Sequence, residues 1–145
     1  MSDFAERASG LAVAAFAFPG PLRDQLNAAI LSGLKSSTTA LLADYEESGD
    51  ELPQVGRRYQ LIDSAEHAIA ILEATDVRIA RLGDVDLHHA LDEGEGLTSI
   101  QQWREVHERF WTSPEYAATV AAVPELTDDT QVVLERFRLV EVRSD

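Results

Sequence analysis

The segment Gly33-Leu34-Lys35-Ser36-Ser37-Thr38 carries the only lysine of the chain, against eleven arginines. A lysine held on a turn can be desolvated, and desolvation lowers its pKa toward the range where it takes up a proton. A threonine hydroxyl within reach of such a base becomes a nucleophile. The same residues also read as a C-capped helix whose Lys35 neutralises the helix dipole. The segment is not a P-loop, because the order G-x-x-x-x-G-K-[ST] is absent. Asp92-Glu93-Gly94-Glu95-Gly96 sets two carboxylates around a glycine, where the backbone can approach a ligand closely. A carboxyl partly buried there rises in pKa and can give or relay a proton; left in water, the same residues are a solvated acidic loop. Glu73 and Glu135 form a third group, each in an otherwise apolar strand row. Charges inside a small barrel are costly unless paired. They are expected either in ion pairs with Arg104, Arg109, Arg136 or Lys35, or in a polar pocket opening into the sheet.

The remaining polar and aromatic residues point less strongly to chemistry. His88 and His89, with Asp86 and Asp92 nearby, invite a metal reading, but neighbouring residues point apart on a helix and no H-E-x-x-H spacing occurs. No metal site is expected. His107 sits in an aromatic stripe with Trp103, Phe110 and Trp111, where it reads as a half-buried histidine or as a base. The tryptophans could stack on a nucleobase, although aromatic residues at helical spacing also build cores. No G-x-S-x-G elbow supports a serine triad.

The elements that must position these groups are mixed. Leu11 to Phe18 is an apolar run without clear period, broken by Pro19-Gly20-Pro21. Residues 22–32 repeat at helical spacing, and Gly33 is a plausible C-cap. Ala40 to Tyr45 reads as a short helix or extended arm, and Ser48 to Pro53 as a turn. Strands are expected over Arg57 to Asp63, Ala68 to Arg81 and Gln131 to Val142. Helices are expected over 84–92, with Asp84 as cap, and after Thr98 or Ser99. Residues 113–129 read as loop, and residues 1–10 as a frayed terminus. Without regular βαβ alternation, this pattern favours an α+β domain with a curved, mostly antiparallel sheet.

At 145 residues the chain is expected to form one domain. Hydrophobic residues at 45% and charged residues at 26% match ordinary globular composition. No apolar run is long enough to span a bilayer, and the first residues are acidic where a secretory signal would be basic. With no cysteine, thiolate metal sites and cysteine nucleophiles are excluded. A cytoplasmic protein is expected. The net charge of −14 repels a long polyanion, so long duplex DNA is not an expected partner.

Taken together these pieces resemble the ASCH domain family (activating signal cointegrator homology), which has a PUA-like β-barrel fold. The family's G-x-K-x-x-T signature is matched by Gly33, Lys35 and Thr38. The E-G-E-G segment of its larger bacterial members is matched by Glu93 to Gly96, their W-R-x-x-H helix by Trp103, Arg104 and His107, and their E-R-F strand by Glu135, Arg136 and Phe137. Ala40 stands where related enzymes tend to have arginine, and Leu97 where the larger members usually have aspartate. The resemblance implies an RNA-binding or RNA-processing module, and some bacterial members hydrolyse N(4)-acetylcytidine to cytidine and acetate. Carried over, their catalytic set looks like Lys35, Thr38 and Glu93. Lys35 would accept the Thr38 proton, and Glu93 would give one to the leaving base. Gly33, Glu73, Glu95, Trp103, Arg104, His107 and Glu135 are the expected substrate-binding residues. The expected function is a metal-independent amidohydrolase acting on N4-acylated cytidine, with no cofactor. The alternatives are a non-catalytic RNA-binding module and a ribonuclease acting on short single-stranded RNA. Expected partners are a modified nucleoside or a short single strand held by Arg57, Arg58 and the Lys35 turn, with no membrane, the chain being a monomer or homodimer.

Overall fold

The computed structural model describes residues 3–144. Asp3 caps the first helix, α1 (Phe4–Ser9), by accepting the Glu6 N–H, and Arg7 pairs with Glu141 on the last strand. The expected frayed N-terminus is thus helical from residue 4 onward; Met1 and Ser2 lie outside the described residues. The apolar run that follows forms only a short strand, β1 (Ala12–Ala14). Pro21 then starts α2 (Pro21–Ser32), since its missing N–H costs nothing in a first turn. Gly33 ends α2 at φ +88°, as the sequence leads one to expect.

Ser37–Leu41 is β2, and Leu42–Ser48 is α3. The segment expected as one helix or arm is therefore divided between the two. Next come β3 (Arg58–Ile62) and the long β4 (Ala68–Arg81), which turns through a single 3-10 turn, Leu82–Asp84. Helix α4 (Leu87–Asp92) is capped by Asp86 rather than Asp84. Ser99 caps α5 (Ile100–Trp111), and Ser113 caps α6 (Pro114–Ala117), a turn of helix inside the expected loop. Strand β5 (Gln131–Val142) closes the chain.

The five strands form one sheet in the order β1-β3-β4-β5-β2. Only β1 and β3 are parallel. Strands β4 and β5 pair along most of their length, with register shifts at Ile71/Leu72 and Ala74/Asp76 that bend the sheet. The two edge strands, β1 and β2, are not hydrogen-bonded to one another, so the sheet remains open where a barrel was expected.

Apolar clusters cover both faces of β5. Val132 and Leu134 join Trp103, Trp111 and Tyr116 beneath α4, α5 and α6. On the alternate face Phe137 joins Ile30 of α2, with Leu61, Ala70 and Leu72. Each such side chain contributes about 1.5–3 kcal/mol on full burial. Glu73 does not enter either cluster. It lies cross-strand from Arg58 and Arg138 and pairs with both, at 3.1 and 3.2 Å. The register shift at Ile71/Leu72 separates it from the row of Ile71 and sets it opposite Arg138, and a surface ion trio takes the place of the expected buried carboxylate.

Candidate active site

Two loops meet where β2 begins. The αL turn at Gly33 folds the chain so that the Lys35 N–H reaches the Ala29 carbonyl at 3.0 Å. The Ser36 N–H then bonds the Asp92 carbonyl at 2.8 Å, which stitches this turn to the end of α4. Gly94 has φ +71° and lies flat against the same turn. A Cβ there would stand 2.6 Å from the Leu34 carbonyl carbon and 2.7 Å from the Lys35 nitrogen, with the carbonyl oxygen nearer still. Only glycine fits.

Alternation along β2 sends Ser37 and Thr39 toward α4. The Ser37 hydroxyl donates to the His89 carbonyl at 2.9 Å. The Thr39 hydroxyl donates to Glu93 Oε2 at 2.7 Å, and the same oxygen accepts the Trp103 indole N–H at 2.8 Å. Because the Thr39 proton is committed to Glu93, the 2.8 Å contact between His89 Nε2 and Thr39 Oγ1 requires a proton on His89 Nε2. Glu93 Oε1 faces His107 Nε2 at 3.0 Å, while His107 Nδ1 sits 2.8 Å from the Trp103 carbonyl. A carbonyl only accepts, so Nδ1 is protonated, and one further proton is shared between His107 and Glu93. Burial opposes the charge on Glu93, but the bonds from His107 and His89, with the His107 and Lys35 charges, hold its carboxyl well below the usual range. Burial likewise opposes charging of His107, and the Glu93 contact outweighs it, raising the imidazole above its ordinary value. The shared proton therefore rests on His107.

Lys35 is 3% exposed. Its Nζ donates to the carbonyls of Ser37 (2.9 Å) and Glu93 (3.3 Å), and stands 3.9 Å from carboxylate oxygens of both Glu93 and Glu95. Burial lowers its pKa, against the pull of the two carboxylates. Burial raises that of Glu95, with the Glu93 charge adding to the effect and Lys35 opposing it. The pair Lys35 and Glu95 is thus biased toward its neutral forms, beside an ionised Glu93–His107 pair. Glu93, Glu95 and His107 also bring one possible metal-ligand atom each within 4.8 Å of one another. A cation there would have to break the His107 and Glu93 hydrogen bonds and sit against Lys35, so the donor set is a poor fit for a metal.

This cluster opens on a chamber of about 150 Å³ lined by Lys35, Thr38, Glu93, Glu95 and His107. Phe16, Ala17, Thr38 and Thr39 are shared with a larger cleft of about 810 Å³ that extends past Tyr45, Tyr59, Glu135 and Phe137.

The ASCH domain family model matches residues 14–141. The chain belongs to the ASCH domain family. Solved structures agree: the ASCH domain from Lactobacillus crispatus JV V101 is 26% identical with a TM-score of 0.77, covering 94% of this chain and 84% of that one. A protein from Enterococcus faecalis V583 is 25% identical with a TM-score of 0.79, covering 92% of this chain and 78% of that one. A hypothetical protein, PH0355, at 14% identity and a TM-score of 0.52, shares the fold alone. No curated protein matches the chain.

In this ASCH domain the expected site residues divide into groups. Lys35, Thr38, Glu93, Glu95 and His107 are brought to one chamber, and Glu135 to the adjoining cleft. Among the described residues no hydrogen bond engages the Thr38 hydroxyl, which leaves it open to a ligand. The proton-donor role expected for Glu93 does not fit a carboxylate that is 1% exposed and surrounded by donors; Glu95 is the carboxyl of the pair whose pKa burial raises. Trp103 is fully buried, its N–H bound to Glu93 and its ring stacked on His107 at 4.2 Å, so it has no face for a base. Arg104 turns away to Glu108 and Asp128, and Gly33 acts on the site only through the turn it makes. The expected partner for Glu135 is absent among the described residues: Arg136 pairs with Asp92, and Arg104 and Lys35 are engaged elsewhere. Sequence reasoning missed Thr39 and His89. The i,i+4 spacing of His89 and Glu93, and the alternation that separates Thr38 from Thr39, were the available signals.

Proposed function

We propose that this ASCH protein hydrolyses the amide of an N4-acylated cytidine, free or in a short single strand. The observation that carries the reading is the sole lysine, buried beside Glu95 in the chamber that Thr38 lines with an unengaged hydroxyl. A neutral amine has two N–H bonds, which match the two carbonyls that Lys35 contacts, and its lone pair is then free. Thr38 Oγ attacks the acyl carbon as its proton passes to Lys35 Nζ. The C–N bond breaks, and the departing N4 takes the Glu95 proton. Water then attacks the acyl-threonine ester as the Glu95 carboxylate takes one of its protons, Lys35 returns its proton to the departing Thr38 oxygen, and the product leaves as carboxylate with its last proton released to solvent. His107 and Glu93 hold the positions of Lys35 and the glycine loop and take no part in proton transfer. Room in the larger cleft admits flanking nucleotides, while the net charge of −14 disfavours extended RNA.

The test is conversion of N4-acetylcytidine to cytidine, followed by chromatography. Lys35→Arg keeps the charge but cannot act as a base, because guanidinium does not deprotonate in proteins. It is expected to lose about 10²–10⁴-fold in rate, and Thr38→Val to abolish turnover. Retained activity in Lys35→Arg overturns the base role. A wild type inert toward several acylcytidines overturns the hydrolase reading and leaves a binding module.

A further inference from the structure

Glu135 is a carboxyl of the cleft that the mechanism leaves idle, and the one that lies beside Thr38. It is half-buried on β5, directly cross-strand from Thr38 on β2 and from Val77 on β4. Cross-strand neighbours have Cβ atoms about 4.5–5.5 Å apart, so whatever Glu135 holds lies next to the Thr38 hydroxyl. Tyr45 of α3 and Tyr59 of β3 complete its surroundings, and both phenols are pushed up, Tyr45 to about 12, by burial and then by the Glu135 charge. The charged groups elsewhere in the cleft are Asp50, Glu51 and Arg57, and Arg57 is paired with Glu51 at 3.1 Å. Among the described residues the Glu135 carboxyl has no hydrogen bond and no ion pair. Burial alone lifts its carboxyl to about 7.

The Glu135 carboxyl is only partly buried, and it faces the open space of the cleft with aromatic rings around it. We propose that Glu135 reads the Watson–Crick edge of a cytosine stacked in the cleft, its carboxyl donating to N3 and accepting from the N4–H. A carboxyl in its acid form presents a donor and an acceptor side by side, which is the complement of that edge. Phe16, Tyr45, Tyr59 and Phe137 supply rings on which a base can stack. With N4 held at Glu135, an acyl group on N4 falls beside Thr38; this placement, and the choice of cytosine over adenine, whose N1 and N6–H offer the same pair, rest on the hydrolase reading.

Binding of cytidine, measured by calorimetry between pH 6 and 8.5, tests the proposal without any turnover. The binding-competent acid form of Glu135 is half-populated at pH 7 and about 3% populated at pH 8.5, so affinity is expected to fall roughly 15-fold over that interval. In Glu135→Gln the amide offers the same donor and acceptor at every pH, and the profile is expected to be flat. In Glu135→Ala cytidine binding is expected to be lost, with the fold checked by circular dichroism. A flat profile in the wild type, a Gln variant that keeps the wild-type pH dependence, or no cytidine binding at all overturns the proposal. Hydrolysis of acetylcytidine with any of these results leaves the hydrolase standing and removes only Glu135. A pH-dependent site in a protein that hydrolyses no acylcytidine does the reverse.

Discussion

Replacing Glu93 by Gln exchanges one oxygen for an NH₂, and the network allows that change in a single orientation. The amide oxygen must stay with the Trp103 indole (2.8 Å) and the Thr39 hydroxyl (2.7 Å), because the indole can only donate. The NH₂ then faces His107 Nε2, 3.0 Å away in the wild type. His107 Nδ1–H is committed to the Trp103 carbonyl, so Nε2 must accept and the ring must be neutral. Every hydrogen bond survives, but three that involved an ionised carboxylate become neutral. Bonds to charged groups contribute about 1.5–3 kcal/mol and neutral ones about 0.5–1.5. A loss near 1 kcal/mol for each gives about 3 kcal/mol in all, at the lower end of what breaking a buried ion pair costs. Urea unfolding at pH 7 should show this as a lower midpoint with an unchanged slope. NMR titration of the His107 ring should show its pKa falling, since burial depresses it and the Glu93 carboxylate is the main opposing influence. A loss below about 1 kcal/mol with His107 unmoved would mean that Glu93 is already neutral in the wild type. The protonation scheme of the whole cluster would then be wrong.

Two other expectations follow from the same geometry. His107, whose pKa is raised from 6.5, stabilises the fold fully below that pH and loses its contribution as pH rises through the raised value; Glu93, depressed from 4.5, stabilises above pH 4.5 and loses its contribution as pH falls through the lowered value. The stability difference between wild type and His107→Gln should therefore be greatest between pH 4.5 and 6.5, and a difference that grows from pH 6.5 to 9 contradicts the assignment. Gly94→Ala and Gly96→Ala both place a side chain at positive φ, which costs about 1–2 kcal/mol, but only at Gly94 does the new Cβ collide with backbone. Gly94→Ala should be the more destabilising by at least about 2 kcal/mol in urea unfolding and should lower turnover; equal losses would mean that the two loops are not stitched together.

Elements with a strong local period could be read directly from the sequence. The span of β4, the span of β5 and the αL end of α2 are where hydrophobic alternation and Gly33 place them. What the sequence hid depended on tertiary contacts. Glu73 shared a row with Ile71 and Val77, and only the cross-strand register, shifted at Ile71/Leu72, reveals that it meets Arg58 and Arg138 in solvent. Open edges at β1 and β2 could not be inferred from strand content, because closure depends on which strands pair. Within the site, spacing gave the lysine turn and the acidic loop as separate features, and the family resemblance named Lys35, Thr38, Glu93 and Glu95 together; they line one chamber. The division of labour between the two glutamates needed the donors around each oxygen, and three of those donors, Thr39, Trp103 and His107, come from β2 and α5.

Charge distribution bears on the class of ligand. Among the described residues at least eight of the eleven arginines are paired with carboxylates, and Arg23 is turned inward onto the carbonyls of Phe16, Ala17 and Asp63. Little cationic surface is therefore left to neutralise phosphates, which is what sequence-independent binding of nucleic acid needs. The cleft offers recognition of a different kind: aromatic rings, a free hydroxyl at Thr38 and an unpartnered carboxyl at Glu135. The inner chamber, by contrast, carries two cationic and two acidic groups that balance one another, whichever way the proton between Lys35 and Glu95 lies. Such a chamber neither attracts nor repels a neutral acyl amide. In the proposed reaction it changes protonation as the amide bond breaks, the proton leaving Thr38 and the proton reaching N4 passing through Lys35 and Glu95, 3.9 Å apart. A neutral base read by its edge, bound above an electroneutral acid–base pair, is the ligand this arrangement suits.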